Sequence, residues 1–176
     1  MLFHQSQRSL IKSVQAGTIV ISGAASATAT ITAVVPANAI VLYLGASHTS
    51  GAETGGHRTM VRVALTNATT VTGTVGAASS NTVLSYVVVE FWPGVIKSIQ
   101  AGTISLATTT VSATATITAV TTAKSALFPV GWSNNLDPFL AESICRVALT
   151  NATTVTATKV GITGTDVAGY QVVEFF

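Results

Sequence analysis

An all-β chain of two tandem homologous β-sandwich, or small-barrel, modules with six to seven strands each is the fold predicted here, on three observations. Residues 11–19 return as residues 96–104 with a single change, Val14 to Ile99, and residues 26–34 recur letter for letter at 112–120. The eleven residues 62–72, reading RVALTNATTVT, recur unchanged at 146–156, and Tyr86-Val87-Val88-Val89-Glu90-Phe91 returns as Tyr170-Gln171-Val172-Val173-Glu174-Phe175. Second, Thr supplies 29 residues and Val, Ile and Ala many of the rest, and β-branched side chains at this density favour strands. Third, apolar residues alternate locally with polar ones, the period of a half-buried strand.

Taken in order, strands are expected near residues 11–16, 18–22, 27–35, 39–44, 60–66, 69–75 and 83–91, with their repeats downstream. Gly17 divides the first two. In residues 27–34, small Ala and polar Thr alternate, which gives one packing face and one wetted face. Val61, Val63 and Leu65 share one face, and Cys145, Val147 and Leu149 repeat it. Residues 65–71 read as strand, tight turn, strand, with Asn67 able to take a left-handed conformation at the bend. Trp92-Pro93-Gly94 breaks any continuing strand. The organisation is therefore an N-terminal arm, residues 1–10, then a module over 11–92 and its repeat over 93–176. Short strands joined by turns at such spacing describe a sandwich or a small barrel. Matched blocks are offset by 85, 86 and 84 residues, so the small insertions fall between elements.

Composition excludes several functions. Charged residues are 8% of the chain, against roughly 25% in ordinary soluble domains. With 48% hydrophobic residues and a mean hydropathy of +0.59, this predicts a surface largely covered in an assembly, although Thr, Ser, Ala and Gly also make a neutral surface that water wets. Eight basic residues, scattered along a chain of net charge +2, make no footprint for nucleic acid. The most apolar run, residues 39–46, is far shorter than the roughly 18 residues of a spanning helix. The first ten residues lack the apolar stretch and cleavage site of a secretory signal, so the chain is expected to stay in the cytosol until assembled. Cys145, the single cysteine, leaves no intrachain disulfide to form and is expected to be a packed thiol.

Three charged positions are occupied identically in both copies: Lys12 and Lys97, Arg62 and Arg146, Glu90 and Glu174. They suggest a Lys or Arg paired to the Glu in a structural ion pair, because buried charges need partners whatever the function. His48, Glu53 and His57 are metal-compatible ligand types in a Gly/Ser/Thr-rich segment, but their spacing matches no metal site and the second copy carries no His there. The copies diverge most at residues 43–60 and 127–144, between nearly identical flanks. Trp132 and Phe139, together with His48 and His57, are therefore interface candidates, while Trp132 and Phe139 can equally close the sandwich core. The sequons at Asn67 and Asn151 count once, being copies, and carry little weight without a secretory signal. The Thr-Ala-Thr runs resemble the threonine arrays of ice-binding proteins, but their period of about 85 residues is far too long for stacked strands. GxSxG, HExxH and a phosphate-cradling Gly loop are all missing, so no enzymatic activity, cofactor or metal is expected.

The pattern IKSxQAGTI, SATATITAV, RVALTNATTVT and YxVVEF resembles the small β-rich virion proteins of tailed bacteriophages, over nearly the whole chain and twice. The resemblance implies a non-enzymatic structural part of the particle. A capsid decoration (cement) protein is favoured, one that oligomerises, with a trimer favoured, and binds the major capsid protein or other virion proteins, without nucleic acid or membrane as partner. A tail or head-fibre component, or a glycan-binding adhesin module, is the alternative. The implied location is the virion, assembled in the host cytoplasm. The arm of residues 1–10 is expected to order on the partner.

Overall fold

The computed structural model describes residues 9–48, 60–79, 81–135, 144–162 and 164–176. Over these the chain is all-β, built of curled antiparallel sheets. The strands of the first half are β1 (Ile11–Ile21), β2 (Ala24–Thr30), β3 (Ala39–His48), β4 (Val61–Asn67), β5 (Thr70–Ser79) and β6 (Thr82–Phe91). Those of the second are β7 (Ile96–Leu106), β8 (Ser112–Thr116), β9 (Ser125–Asn134), β10 (Arg146–Asn151), β11 (Thr154–Thr158) and β12 (Asp166–Phe175). Single 3-10 turns, Pro36–Asn38 and Thr122–Lys124, lead into β3 and β9.

Among the described residues the strands form a three-stranded sheet β1-β6-β3, another in the order β10-β11-β8, and a six-stranded sheet β2-β5-β4-β9-β12-β7. Neighbour relations repeat along the chain. β6 lies between β1 and β3 as β12 lies between β7 and β9, and β5 lies between β2 and β4 as β11 lies between β8 and β10. The six-stranded sheet arises where β4 of the first half meets β9 of the second, with Arg62 opposite Gly131.

The alternating residues find the interior as their period requires. Val61 and Val63 are buried and Leu65 packs beside them, in a core completed by Ile21, Val71 and Leu84. In β2 the alanines at 27 and 29 face that core while the threonines face out. The second half repeats the arrangement around Ile104, Leu106, Val155 and Val172, with Ala113 and Ala115 packed against them. A third apolar cluster joins the halves, setting Ile40, Leu42 and Val89 with Ile96, Phe128 and Val173.

Two expectations need correction. Residues 11–22 were expected as two strands, yet β1 runs unbroken through Gly17. Gly17 lies opposite Tyr86 in the ladder, and a Cβ on it would stand 2.6 Å from the Tyr86 hydroxyl. Gly102 and Tyr170 repeat the pairing at 2.7 Å. The glycine is therefore a seat for an aromatic ring and not a break. Residues 27–35 were expected to be strand throughout, but β2 ends at Thr30. The Gln15 side chain takes over the role of a neighbouring strand, accepting from the Thr32 N–H at 2.7 Å and donating to its carbonyl at 2.9 Å, and Gln100 does the same for Thr118. Asn67, able to take the left-handed region, does not use it. Its Oδ1 instead accepts from the Thr69 N–H at 2.9 Å and from the Thr69 hydroxyl, and Asn151 repeats this side-chain-stapled turn.

Candidate interaction surface

Each half places its paired charges where three chain segments meet. Glu90, near the end of β6, is buried. Its Oε1 accepts from Lys12 Nζ at 2.9 Å and from the Val35 N–H at 3.0 Å, and its Oε2 accepts from the Ser13 hydroxyl at 3.2 Å. Glu174 makes the same set with Lys97 at 2.9 Å, the Thr121 N–H at 2.9 Å and Ser98 at 3.5 Å. One carboxylate thereby ties the start of a strand to the segment leading into the next 3-10 turn. Burial alone pushes the Glu90 carboxyl up, but hydrogen bonds from Lys12 and the Val35 N–H outweigh it and leave the group below its ordinary value. The Lys97 and Thr121 hydrogen bonds bring Glu174 down to about 2.

Neither arginine joins these carboxylates. Arg62, half-buried on β4, donates from Nε to the Ser133 hydroxyl at 2.9 Å, across the boundary between the halves. Arg146, its repeat, is exposed and approaches Thr158 at 3.4 Å. Opposite Arg62, Gly131 has φ +87, and a Cβ on it would stand 2.1 Å from the Val61 carbonyl oxygen. Glycine is thus required there twice over, for conformation and for space. Nearby, the buried Gln171 side chain donates to the Val41 carbonyl at 3.0 Å and accepts from the Val41 N–H at 3.4 Å, a ladder-like clamp between β12 and β3. Gly76 completes the junction, lying so close to the backbone of Asn134 that a Cβ would overlap it.

The second half also holds a buried polar cluster. Lys159 Nζ contacts Asp166 Oδ2 at 2.8 Å, with both side chains fully shielded. The same ammonium donates to the carbonyls of Gly164 at 3.0 Å and Leu106 at 3.3 Å, and Asn134 Nδ2 donates to Asp166 Oδ1 at 2.6 Å. The repeat positions in the first half are Val75, Thr82 and His48. Cys145 packs half-buried against the second core, and burial, followed by the nearby Asp166 charge, pushes its thiol up to about 12. At neutral pH it is a protonated, weakly nucleophilic group.

The remaining candidates separate. His48 closes β3 and is half-buried. Trp132 sits in β9 opposite Ala168, its indole N–H buried without an acceptor among the described residues. Glu53, His57 and Phe139 lie outside the described residues, as do residues 1–8 of the arm. Among the described residues no group of three His, Cys, Asp or Glu side chains comes together, and no helix is long and apolar enough to cross a membrane.

No family model, curated protein or solved structure matches this chain. The geometry is therefore what can be read for function. Sequence reasoning missed Gln171, Ser133 and the Lys159–Asp166 pair, although each left a trace. Gln171 is the one change in an otherwise repeated six-residue block, and Lys159 and Asp166 are opposite charges appearing together where the first half has Val75 and Thr82.

Proposed function

We propose that the chain is a non-enzymatic structural protein of a virion, a capsid decoration or cement protein that oligomerises and binds the lattice of the major capsid protein. Residues 11–92 and 93–176 are read as two homologous six-stranded sandwich modules, supported by their common strand-neighbour order. The observation that carries the functional reading is the allocation of charge and apolar surface. The few acidic groups described are spent on fastening strands and connections, while Ile11, Val14, Leu44, Ile144, Val160 and Ile162 face outward. Such a surface is best satisfied by being covered, and neutral Thr/Ala/Val faces suit water-excluding contact with a lattice. A cyclic homo-oligomer, with a trimer favoured, fits placement on a lattice symmetry axis.

A tail or head-fibre component, or a glycan-binding adhesin, is the competing reading, and the Trp132 indole, within the divergent segment 127–144, favours it. The two separate on incubation of the purified full chain with shells that lack it. Decoration predicts saturation at a fixed ratio to the capsid subunit. Binding to tails but not shells, or glycan-array binding lost in Trp132→Ala, contradicts it.

A further inference from the structure

Because the halves repeat, their junction can be read twice. At the junction β4 of the first half presents its edge to β9 of the second, and only one copy of this ladder is formed: none joins β10 to β3 among the described residues. The start of β3, residues 39–41, is buried against the second half by the Gln171 clamp and the shared apolar cluster, but around the positions that match the crossing the unused copies are more exposed. On the receiving side Ile96 is 5% exposed and its repeat Ile11 43%, and Val130 is 5% exposed and its repeat Leu44 59%. On the donating side Met60 is 3% exposed and its repeat Ile144 52%. The contact chemistry also recurs. Arg62 meets Ser133 across the junction, while Arg146 and Ser47 are both exposed on the unused copies. Gly131 makes room for the Val61 carbonyl, and Gly45, its repeat, also has a positive φ, +120, with open space where a Cβ would be.

We infer that the exposed β10 edge of one molecule docks on the exposed end of β3, around Leu44, Gly45 and Ser47, of a second copy, repeating between chains the β4–β9 junction within the chain. Such a contact is head-to-tail. It closes into a ring where the rotation allows and otherwise extends. It is weaker than the internal one for two visible reasons: Val87 replaces Gln171, which removes the amide clamp, and β11 ends at Thr158 where β5 continues to Ser79, which removes the approach made by Gly76. The inference rests on the equivalence of the halves but not on the virion reading, and its test uses the purified chain alone.

Val14→Asp spoils the receiving surface and Ile144→Asp the donating one, both at exposed positions. In sedimentation velocity the unmodified chain should form species larger than a monomer, increasing with concentration. Each variant should remain monomeric with an unchanged unfolding midpoint, and an equimolar mixture of the two should form a one-to-one heterodimer and nothing larger. Arg146→Glu in place of Ile144→Asp should behave alike. A monomeric unmodified chain at every concentration, or a mixture that stays monomeric, overturns the inference.

A separate observation, the buried Lys159–Asp166–Asn134 cluster, carries a second. A single carboxylate touches the lysine amine with one oxygen and the Asn134 amide nitrogen with the other. Asp166 is thereby placed to take a proton from the amine on one oxygen and to hand one to the amide on the other. We propose that Lys159 Nζ attacks Asn134 Cγ while Asp166 carries the proton from the amine to the departing amide nitrogen. An isopeptide bond forms, the Asn134 C–N bond breaks and ammonia leaves, with no oxidant or cofactor needed. Intact-mass measurement of the full chain should give a value lighter than the sequence mass by one ammonia, with a crosslinked peptide joining residues 134 and 159, and Asp166→Ala should restore the sequence mass. A full sequence mass in the aged, folded protein, or a crosslink to Asp166 with loss of water, overturns the assignment.

Discussion

Glu174 and Gly17 illustrate how much single residues decide. The folded Glu174 carboxyl lies at about 2, below the 4.5 of a free carboxylate, so the folded state binds fewer protons than the unfolded one. Its contribution is fully present above about pH 4.5 and is lost as the pH falls towards 2. Equilibrium unfolding from pH 7 to 2 should show this decline, and Glu174→Gln should be less stable at pH 7 with a shallower decline through that window. An equally steep decline in the variant would remove Glu174 as its source. Gly17→Ala and Gly102→Ala push a methyl group into the ring of Tyr86 or Tyr170 and should each cost roughly 1–3 kcal/mol by thermal unfolding. The repeated carboxylate and lysine were visible as residues worth pairing, because charge is scarce and recurs at the same places. The glycine's purpose was not visible, because the ring that needs it lies about 70 residues away in sequence.

Among the elements, β4 and β10 were legible from the alternation of Val61, Val63 and Leu65 and its repeat, since burying one face of a strand imposes that period directly. The end of β2 was not. Residues 31–35 have strand composition, but their backbone partners are the Thr69 and Ala68 carbonyls, the Gln15 amide and the Glu90 carboxylate, which no local pattern reveals. Gln15→Ala should cost about 0.5–1.5 kcal/mol, since water can replace its bonds at exposed Thr32. Amide exchange at Thr32 should quicken while that at Leu84 stays slow. Comparable quickening at both sites would mean that Gln15 supports the whole sheet and not the one segment.

At the scale of the molecule, the junction was least legible, because it depends on differences between copies more than on what they share. Gln171→Val recreates the first-half residue and leaves the Val41 N–H and carbonyl without their clamp, which should cost about 1–3 kcal/mol for each buried group left unsatisfied. Calorimetry of the full chain should show this as a lower unfolding midpoint, and an unchanged midpoint would argue that the halves are held by the apolar cluster alone. The repeat itself was the most readable feature of all. Among the described residues its two halves share a strand-neighbour order, its carboxylates fasten strands and connections, and several large apolar residues face outward. The most direct test of the proposed decoration role is electron cryomicroscopy of the particle proposed to carry the chain. Density fitting strands β1–β12 at fixed lattice positions on the outside of the shell is the predicted result, and density confined to the tail, or none on the particle, would contradict it.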